Sequence, residues 1–390
     1  MYKIGVLGTL LFLLEIHNNC DTIHAIIIKM REGEDVEKIF LFLIPMIISA
    51  IFVPFVKKVA WKLDIYAVEN ERTVHKGKIA RIGGVAVFLA FMGCLPFFMD
   101  MDAALSGILL GGFFVFIGGL LDDMYNLPAI GKIGFQSAGA LCAMIIGDVY
   151  LVEINLPFGL MIDFQVISMF VTFVWIIGIT NAVNLIDGLD GLSSGFSIIV
   201  LLTIAILTTL NGRADVMIIC LALAGATAGF LCYNFHPASI FIGDCGAQYL
   251  GYMISTIALL GFKGGTFITL VMPIIILFVP IMDTFIAIIR RKLSGKRISD
   301  PDKNHLHHTL MRTWKLGQRE TVLIIYGITM MFSFAAYLFV VDEMLGLVLL
   351  AILIFVCELF VEVTGMIHKK YHPIMGLLDK VKKHTTSGKE

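Results

Sequence analysis

Charge is what this chain has least of. Only 15% of its 390 residues are Asp, Glu, Lys or Arg, against about 25% in a soluble domain. With 58% of the residues hydrophobic, a soluble globular domain is excluded and an integral membrane protein is indicated. Patterned cysteine is absent too. The seven cysteines, at 20, 94, 142, 220, 232, 245 and 357, are scattered through mostly apolar runs without CxxC spacing. That excludes a disulfide framework or a thiolate zinc site and leaves small buried hydrophobes. No internal repeat or low-complexity tract stands out. The formal net charge is only −1; its distribution matters more than its sum, and no nucleic acid is expected among the partners.

What is present is apolar sequence in lengths that cross a bilayer. About 20 residues span the hydrocarbon core as a helix. Candidate spans fall near 38–58, 82–98, 103–121, 133–149, 165–184, 191–210, 214–235, 246–261, 266–289, 321–341 and 343–363. The expected fold is therefore all-α, a polytopic membrane helix bundle of about eleven transmembrane helices. The expected domains are an N-terminal segment (1–36) without assigned role, a transmembrane body (37–365) and a basic tail (366–390) that could lie on anionic lipid. Many glycines and phenylalanines, 37 and 30, suit close helix packing in lipid.

Positive charge sorts by alternate loops. Segments 56–81, 290–320 and 364–390 carry seven, nine and six Lys/Arg, and Lys132 follows the third span. By the positive-inside rule these loops are cytoplasmic, with the N-terminus outside and the C-terminus inside. The polar clusters, not used in that assignment, fall on the same side: Asp122-Asp123 ending the third span, Asn184, Asp187 and Asp190 after the fifth, Phe241–Gly246 (FIGDCG) after the seventh, and His305–His308 (HLHH) after the ninth. Asn184, Asp187 and Asp190, three residues apart, would share a face if helical.

Asp122, Asp123, Asp187, Asp190 and Asp244 are five carboxylates in a charge-poor chain. Brought together they repel unless a cation intervenes. Oxygen ligands without cysteine suit Mg²⁺, with Mn²⁺ as a substitute. Arg72, His75, Lys76, Arg81, Lys132 and the histidines would balance a diphosphate. Plainer readings stand beside this one. An Asp-Asp pair can be a solvated helix end, the Asp- and Gly-rich stretch a turn, and HLHH a surface helix. Asp283, inside an apolar run, is either functional or a structural partner for a buried donor. A cation-coupled transporter would place acids at mid-membrane and repeat its halves; here the acids sit at helix ends.

The stretches HKGKIARIGG (75–84), GGLLDDMYNLPAIGKIGFQ (118–136), NAVNLIDGLDGL (181–192), FIGDCGAQYLG (241–251) and DKNHLHHTL (302–310), in this order, resemble the polyprenyl-phosphate N-acetylhexosamine-1-phosphate transferase family. The resemblance implies Mg²⁺-dependent attack of undecaprenyl phosphate on a UDP-N-acetylhexosamine, giving undecaprenyl-diphospho-sugar and UMP. It implies that Asp122 and Asp123 serve the metal or deprotonate the lipid phosphate, and that Asp244 is a metal ligand. Phe241 would stack on uracil, and Asn184 would line the nucleotide pocket. Asp187 and Asp190 would line it too, and serve catalysis. His305, His307 and His308 would contact the diphosphate, His307 and His308 in catalysis. Arg81, His75 and Lys132 would bind substrate. His-Leu-His-His, rather than three consecutive histidines, resembles the GlcNAc branch rather than the phospho-N-acetylmuramoyl-pentapeptide branch. Such enzymes take the first membrane step of a cell-surface glycan, from the cytoplasmic face of the bacterial inner membrane, and a homodimer is left open. The family usually has Pro where this chain has Ala80.

Overall fold

The computed structural model describes residues 34–67, 78–151, 153–155, 161–163, 167–262, 271–297, 304–367, 371 and 373–374. The N-terminal segment 1–33, His75 with its neighbours 68–77, and most of the basic tail lie outside the described residues.

The described chain is helical. In order run α1 (Glu34–Lys62), α2 (Gly84–Phe98), α3 (Ala103–Tyr125), α4 (Ala129–Leu141) with a π turn at Cys142–Ile146, α5 (Ser168–Ile186), α6 (Leu192–Leu210) and α7 (Ala214–Asn234). Then follow α8 (Gly243–Phe262), α9 (Val271–Ile276), α10 (Phe278–Leu293), α11 (Leu306–Trp314), α12 (Gln318–Val341) and α13 (Glu343–Thr364). Two antiparallel ribbons complete it, β1 (Tyr66–Ala67) with β2 (Ile79–Ala80), and β3 (Glu153–Asn155) with β4 (Met161–Asp163).

Among the described residues, nine helices are long and apolar enough to cross a membrane, rather than about eleven. Two expected spans differ for local reasons. α2 has only 15 residues, with Pro96 in its last turn. The run 266–289 is broken at Leu277 into α9 and α10. Pro280 has no N–H to return to the Ile276 carbonyl, so the helix cannot run through. α10 is also two-faced: Asp283, Arg290 and Arg291 are buried while Phe285 is exposed.

α8 is the hub. It is buried along almost its whole length and packs on α2, α3, α5 and α6. A helix apolar all round belongs in such a place. Its neighbours come close because glycines face each other. A Cβ built on Gly84 would lie 2.3 Å from the Gly246 Cα, and one on Gly119 2.5 Å from the Cys245 Cα. Small residues that let backbones approach replace the hydrophobic drive that lipid cannot supply. By contrast α1 and α13 expose many large apolar side chains, such as Ile47, Phe55, Leu345 and Phe355.

The packing at Gly84 is testable. Gly84→Ala must push α2 from α8 and should cost about 1–3 kcal/mol, read as a lower melting temperature in detergent. Gly93→Ala, with nothing within 4 Å of its added Cβ, should melt like the wild type.

Candidate active site

The site is built at one end of the bundle by joining remote backbone segments. Ala80 and Ile240 form a parallel bridge. Phe241 N–H donates to the Ala80 carbonyl (2.8 Å), and Gly83 and Gly84 N–H donate to the Phe241 and Ile242 carbonyls (2.9 and 2.8 Å). The RIGG and FIGDCG stretches are thereby locked side by side. Gly243 sits in the turn at φ +74°, where a side chain would be strained, and a Cβ there would meet the Arg81 carbonyl at 1.9 Å.

Asp122 and Asp123 occupy the last turn of α3, both buried. Asp123 caps another helix: its Oδ1 accepts from Asp244 N–H (3.0 Å) and its Oδ2 from Cys245 N–H (2.9 Å), both in the first turn of α8. A carboxylate there satisfies orphan donors and meets the positive end of the helix dipole. Arg81 Nε–H donates to the same Oδ1 (3.0 Å), and Arg81 Nη2 reaches Asp244 Oδ2 (3.1 Å). Burial works against the Arg81 charge, but Asp123, Asp244 and Asp122 together raise its pKa above the ordinary value. Lys132, from α4, pairs with Asp122 Oδ2 and stands 4.0 Å from Asp244 Oδ1. The Asp122 Oδ1 accepts Leu127 N–H (2.8 Å), closing the turn at Asn126.

α5 ends at Ile186, so Asn184, Asp187 and Asp190 do not form one helical face; the chain turns out of the helix at Asp187 and again at Gly191, φ +78°. All three nonetheless line one cavity of about 330 Å³, together with Arg81, Phe241 and Asp244. Asn184 Nδ2–H donates to Asp244 Oδ1 (3.1 Å). Asp187 accepts from Ser193 Oγ–H. Asp190 Oδ2 meets His236 Nδ1 (2.8 Å) and Ala238 N–H (3.0 Å), which ties this turn to the loop before α8. Desolvation, with Asp244, Asp123 and Asp190 nearby, pushes the Asp187 carboxyl up to about 7.

The histidines divide. His305 is turned onto Asp283, Nδ1 to Oδ2 at 2.8 Å, and Asp283 Oδ1 accepts Leu306 N–H (2.8 Å). Asp283 is thus a structural partner that caps α11 and fixes the histidine loop. His307 is buried against the DGLDG turn: a Cβ on Gly188 would lie 2.3 Å from its Nε2, an atom without a hydrogen-bond partner. Burial, then His308 and His305, lowers its pKa to about 3. His307 is therefore neutral, and it does not supply the positive charge expected of all three rings. Its ring lies 4.2 Å, centroid to centroid, from that of His308. None of the three lines the cavity.

Three amides escaped the sequence reading. Asn181 Nδ2–H donates to Gln136 Oε1 (2.7 Å), and Gln136 Nε2–H donates to Gln248 Oε1 (3.0 Å), linking α5, α4 and α8 one turn deeper than the carboxylates. Their signal was available, since an amide inside an apolar run needs a partner. His236, in a loop, gave no such sign.

Among the described residues no three His, Cys, Asp or Glu side chains are already arranged around a metal position. The donor set still suits one. Asp122, Asp123, Asp187 and Asp244 outnumber Arg81 and Lys132 by two charges when all are ionised. Every donor is a hard oxygen, and the buried Asp122 Oδ2 is met by the Lys132 ammonium, a charge partner of the sign a metal would supply.

A membrane helical bundle with a polar cavity at one end, walled by carboxylates and Arg81 with Lys132 close by, has the build of a polytopic membrane enzyme. The profile of glycosyl transferase family 4 matches residues 105–262. The chain is 38% identical over 347 residues, 85% of its length and 93% of the relative's, to the "probable undecaprenyl-phosphate N-acetylglucosaminyl 1-phosphate transferase" of Bacillus subtilis (strain 168). It is 31% identical to the decaprenyl-phosphate N-acetylglucosaminephosphotransferase of Mycobacterium tuberculosis H37Rv, over 70% of this chain and 74% of that one. It is 28% identical to the undecaprenyl-phosphate alpha-N-acetylglucosaminyl 1-phosphate transferase of Escherichia coli K12, over 82% and 88%. The chain belongs to this family, the polyprenyl-phosphate N-acetylhexosamine-1-phosphate transferases.

The raised Asp187 carboxyl has a measurable consequence. Its folded value, about 7, exceeds the ordinary 3.8, so its contribution to stability is fully present below about pH 4 and lost as pH rises through 7. In EDTA, Asp187→Asn should gain melting temperature over the wild type progressively from about pH 4 to about pH 7. A difference flat in pH would refute the shift.

Proposed function

We propose that the chain transfers N-acetylglucosamine 1-phosphate from UDP-N-acetylglucosamine to undecaprenyl phosphate, with Mg²⁺, at the cytoplasmic face of the bacterial inner membrane. The reading is carried by one observation: cavity-lining Arg81 and Asp244 lie next to Asp122, Asp123 and Lys132, at the end of apolar helices. The names borne by the relatives from Bacillus subtilis and Escherichia coli support undecaprenyl phosphate as acceptor, and those of all three relatives support the sugar.

In the step proposed, a lone pair on an acceptor phosphate oxygen forms a bond to the donor's β-phosphorus. The bond from that phosphorus to the bridging oxygen breaks, and its electron pair leaves on UMP. The acceptor dianion needs no strong base; the obstacle is repulsion between two anions. A Mg²⁺ ion, when bound, would supply charge neutralisation, and Asp122, Asp123 and Asp244 are the residues that would hold it. Arg81 and Lys132, already set among those carboxylates, are placed to turn toward phosphate oxygens. Asp123 keeps the start of α8 in register, so Asp244 stays at the cavity wall. Neutral His307 can give or accept one hydrogen bond beside Gly188, according to its tautomer.

Detergent-purified protein given UDP-[¹⁴C]GlcNAc, undecaprenyl phosphate and Mg²⁺ should produce organic-extractable label and UMP. EDTA should abolish both, and Mn²⁺ should restore them. Asp122→Asn and Asp244→Asn should each lower turnover by about 100-fold or more in protein that still melts cooperatively. Full activity in either variant would overturn the site. A better rate with UDP-N-acetylmuramoyl-pentapeptide would move the chain to the other branch.

A further inference from the structure

We infer that Gln318 recognises the nucleoside half of the sugar-nucleotide donor, an inference that rests on the function proposed above. Gln318 is the first residue of α12 and lines the same cavity as Phe241, Asp190 and Asn234. It is buried, at 8% exposure. Its side-chain amide makes no hydrogen bond to any described residue, and it is not among the buried atoms sealed from solvent. What surface it keeps therefore belongs to the cavity. A buried primary amide left without partners is uncommon enough to call for an explanation.

The neighbouring amides are all engaged. Asn234 Nδ2–H donates to the Ile240 carbonyl (3.0 Å), and its Oδ1 accepts Ser194 Oγ–H (3.0 Å). Asn184 is held by Asp244. The adjacent cation is engaged as well, because the Arg319 guanidinium lies over the Phe235 ring, 5.7 Å from its centroid. Gln318 is not placed by a loose loop. α12 is fastened to the DGLDG turn, where Tyr326 Oη–H donates to the Gly191 carbonyl, and that turn lies beside the Asp190 wall of the cavity.

The cavity thus has two kinds of wall. Arg81, Asp187 and Asp244 form a charged part suited to phosphates and a cation. Phe241 and Gln318 bring to the other part an aromatic side chain and a neutral donor–acceptor pair. An amide presents its N–H and C=O side by side, the pattern that pairs with a nucleobase edge. An aromatic ring provides the face on which a base can stack. Phosphate recognition would instead call for a cation at this position.

The experiment measures UMP binding by calorimetry, and KM and kcat for UDP-N-acetylglucosamine, in the full-length detergent-purified protein. Gln318→Leu should weaken UMP binding and raise KM by the same factor, about tenfold, with kcat changed less than about twofold. Unchanged UMP affinity with unchanged KM overturns the inference. Unchanged UMP affinity with a raised KM also overturns it, by moving the contact to the sugar. Failure of the wild type to bind UMP would instead sink the donor reading itself. Should Gln318→Leu not fold, the near-isosteric and neutral Gln318→Met carries the same test, because it removes the amide and leaves the shape and the charge.

Discussion

The capping of α8 by Asp123 is the interaction on which the rest of the site depends. A helix that starts inside a membrane protein leaves N–H groups that water cannot reach, and each costs free energy unless a partner is supplied. Asp123 supplies it from another helix, and Arg81 balances the charge from a third segment. One carboxylate thereby joins the end of α3, the loop before α2 and the start of α8. Asp244 is carried on the same turn that Asp123 caps, so the geometry of the cavity wall is set by a structural bond.

This gives the carboxylate cluster a double character. Without a metal, Arg81 and Lys132 stand between the acids and keep them from repelling one another. The cluster still carries more negative than positive charge, and that excess adds to the desolvation that raises the Asp187 pKa. Under the proposed function such a site exchanges partners: the cations that hold the acids here are the groups that would meet phosphates if substrate and a divalent ion bound. Deeper in the bundle the amides of Asn181, Gln136 and Gln248 satisfy one another, so the polar site ends within one turn and the apolar helices resume.

The histidine loop shows how a motif can be divided between scaffold and chemistry. Read as residues, HLHH offered three rings for the diphosphate, His307 and His308 in catalysis. In the fold, Asp283 takes the first to build the start of α11, which in turn presses the second against Gly188. His307 loses its charge because it is buried beside two other imidazoles. Aspartates differ too: both Asp187 and Asp190 line the cavity, but Asp190 braces a loop through His236 and Ala238 while Asp187 is held by Ser193.

Much was legible because lipid imposes strong rules on sequence. Apolar length fixed the class and nearly every span, and the scarcity of charge made each acid conspicuous, so Asp122, Asp123, Asp187, Asp190 and Asp244 could be picked out before any fold was known. The break at Leu277 was less plain, since hydropathy does not register a missing N–H at Pro280. What only the tertiary structure decided was pairing: that Asp123 serves α8, that Asp283 serves His305, and that the Gln318 amide meets no hydrogen-bond partner among the described residues. Composition reports what each residue costs to bury. Which partner meets that cost depends on contacts between residues remote in sequence, 121 positions apart for Asp123 and Asp244 and 22 for Asp283 and His305, and one-dimensional pattern does not carry them.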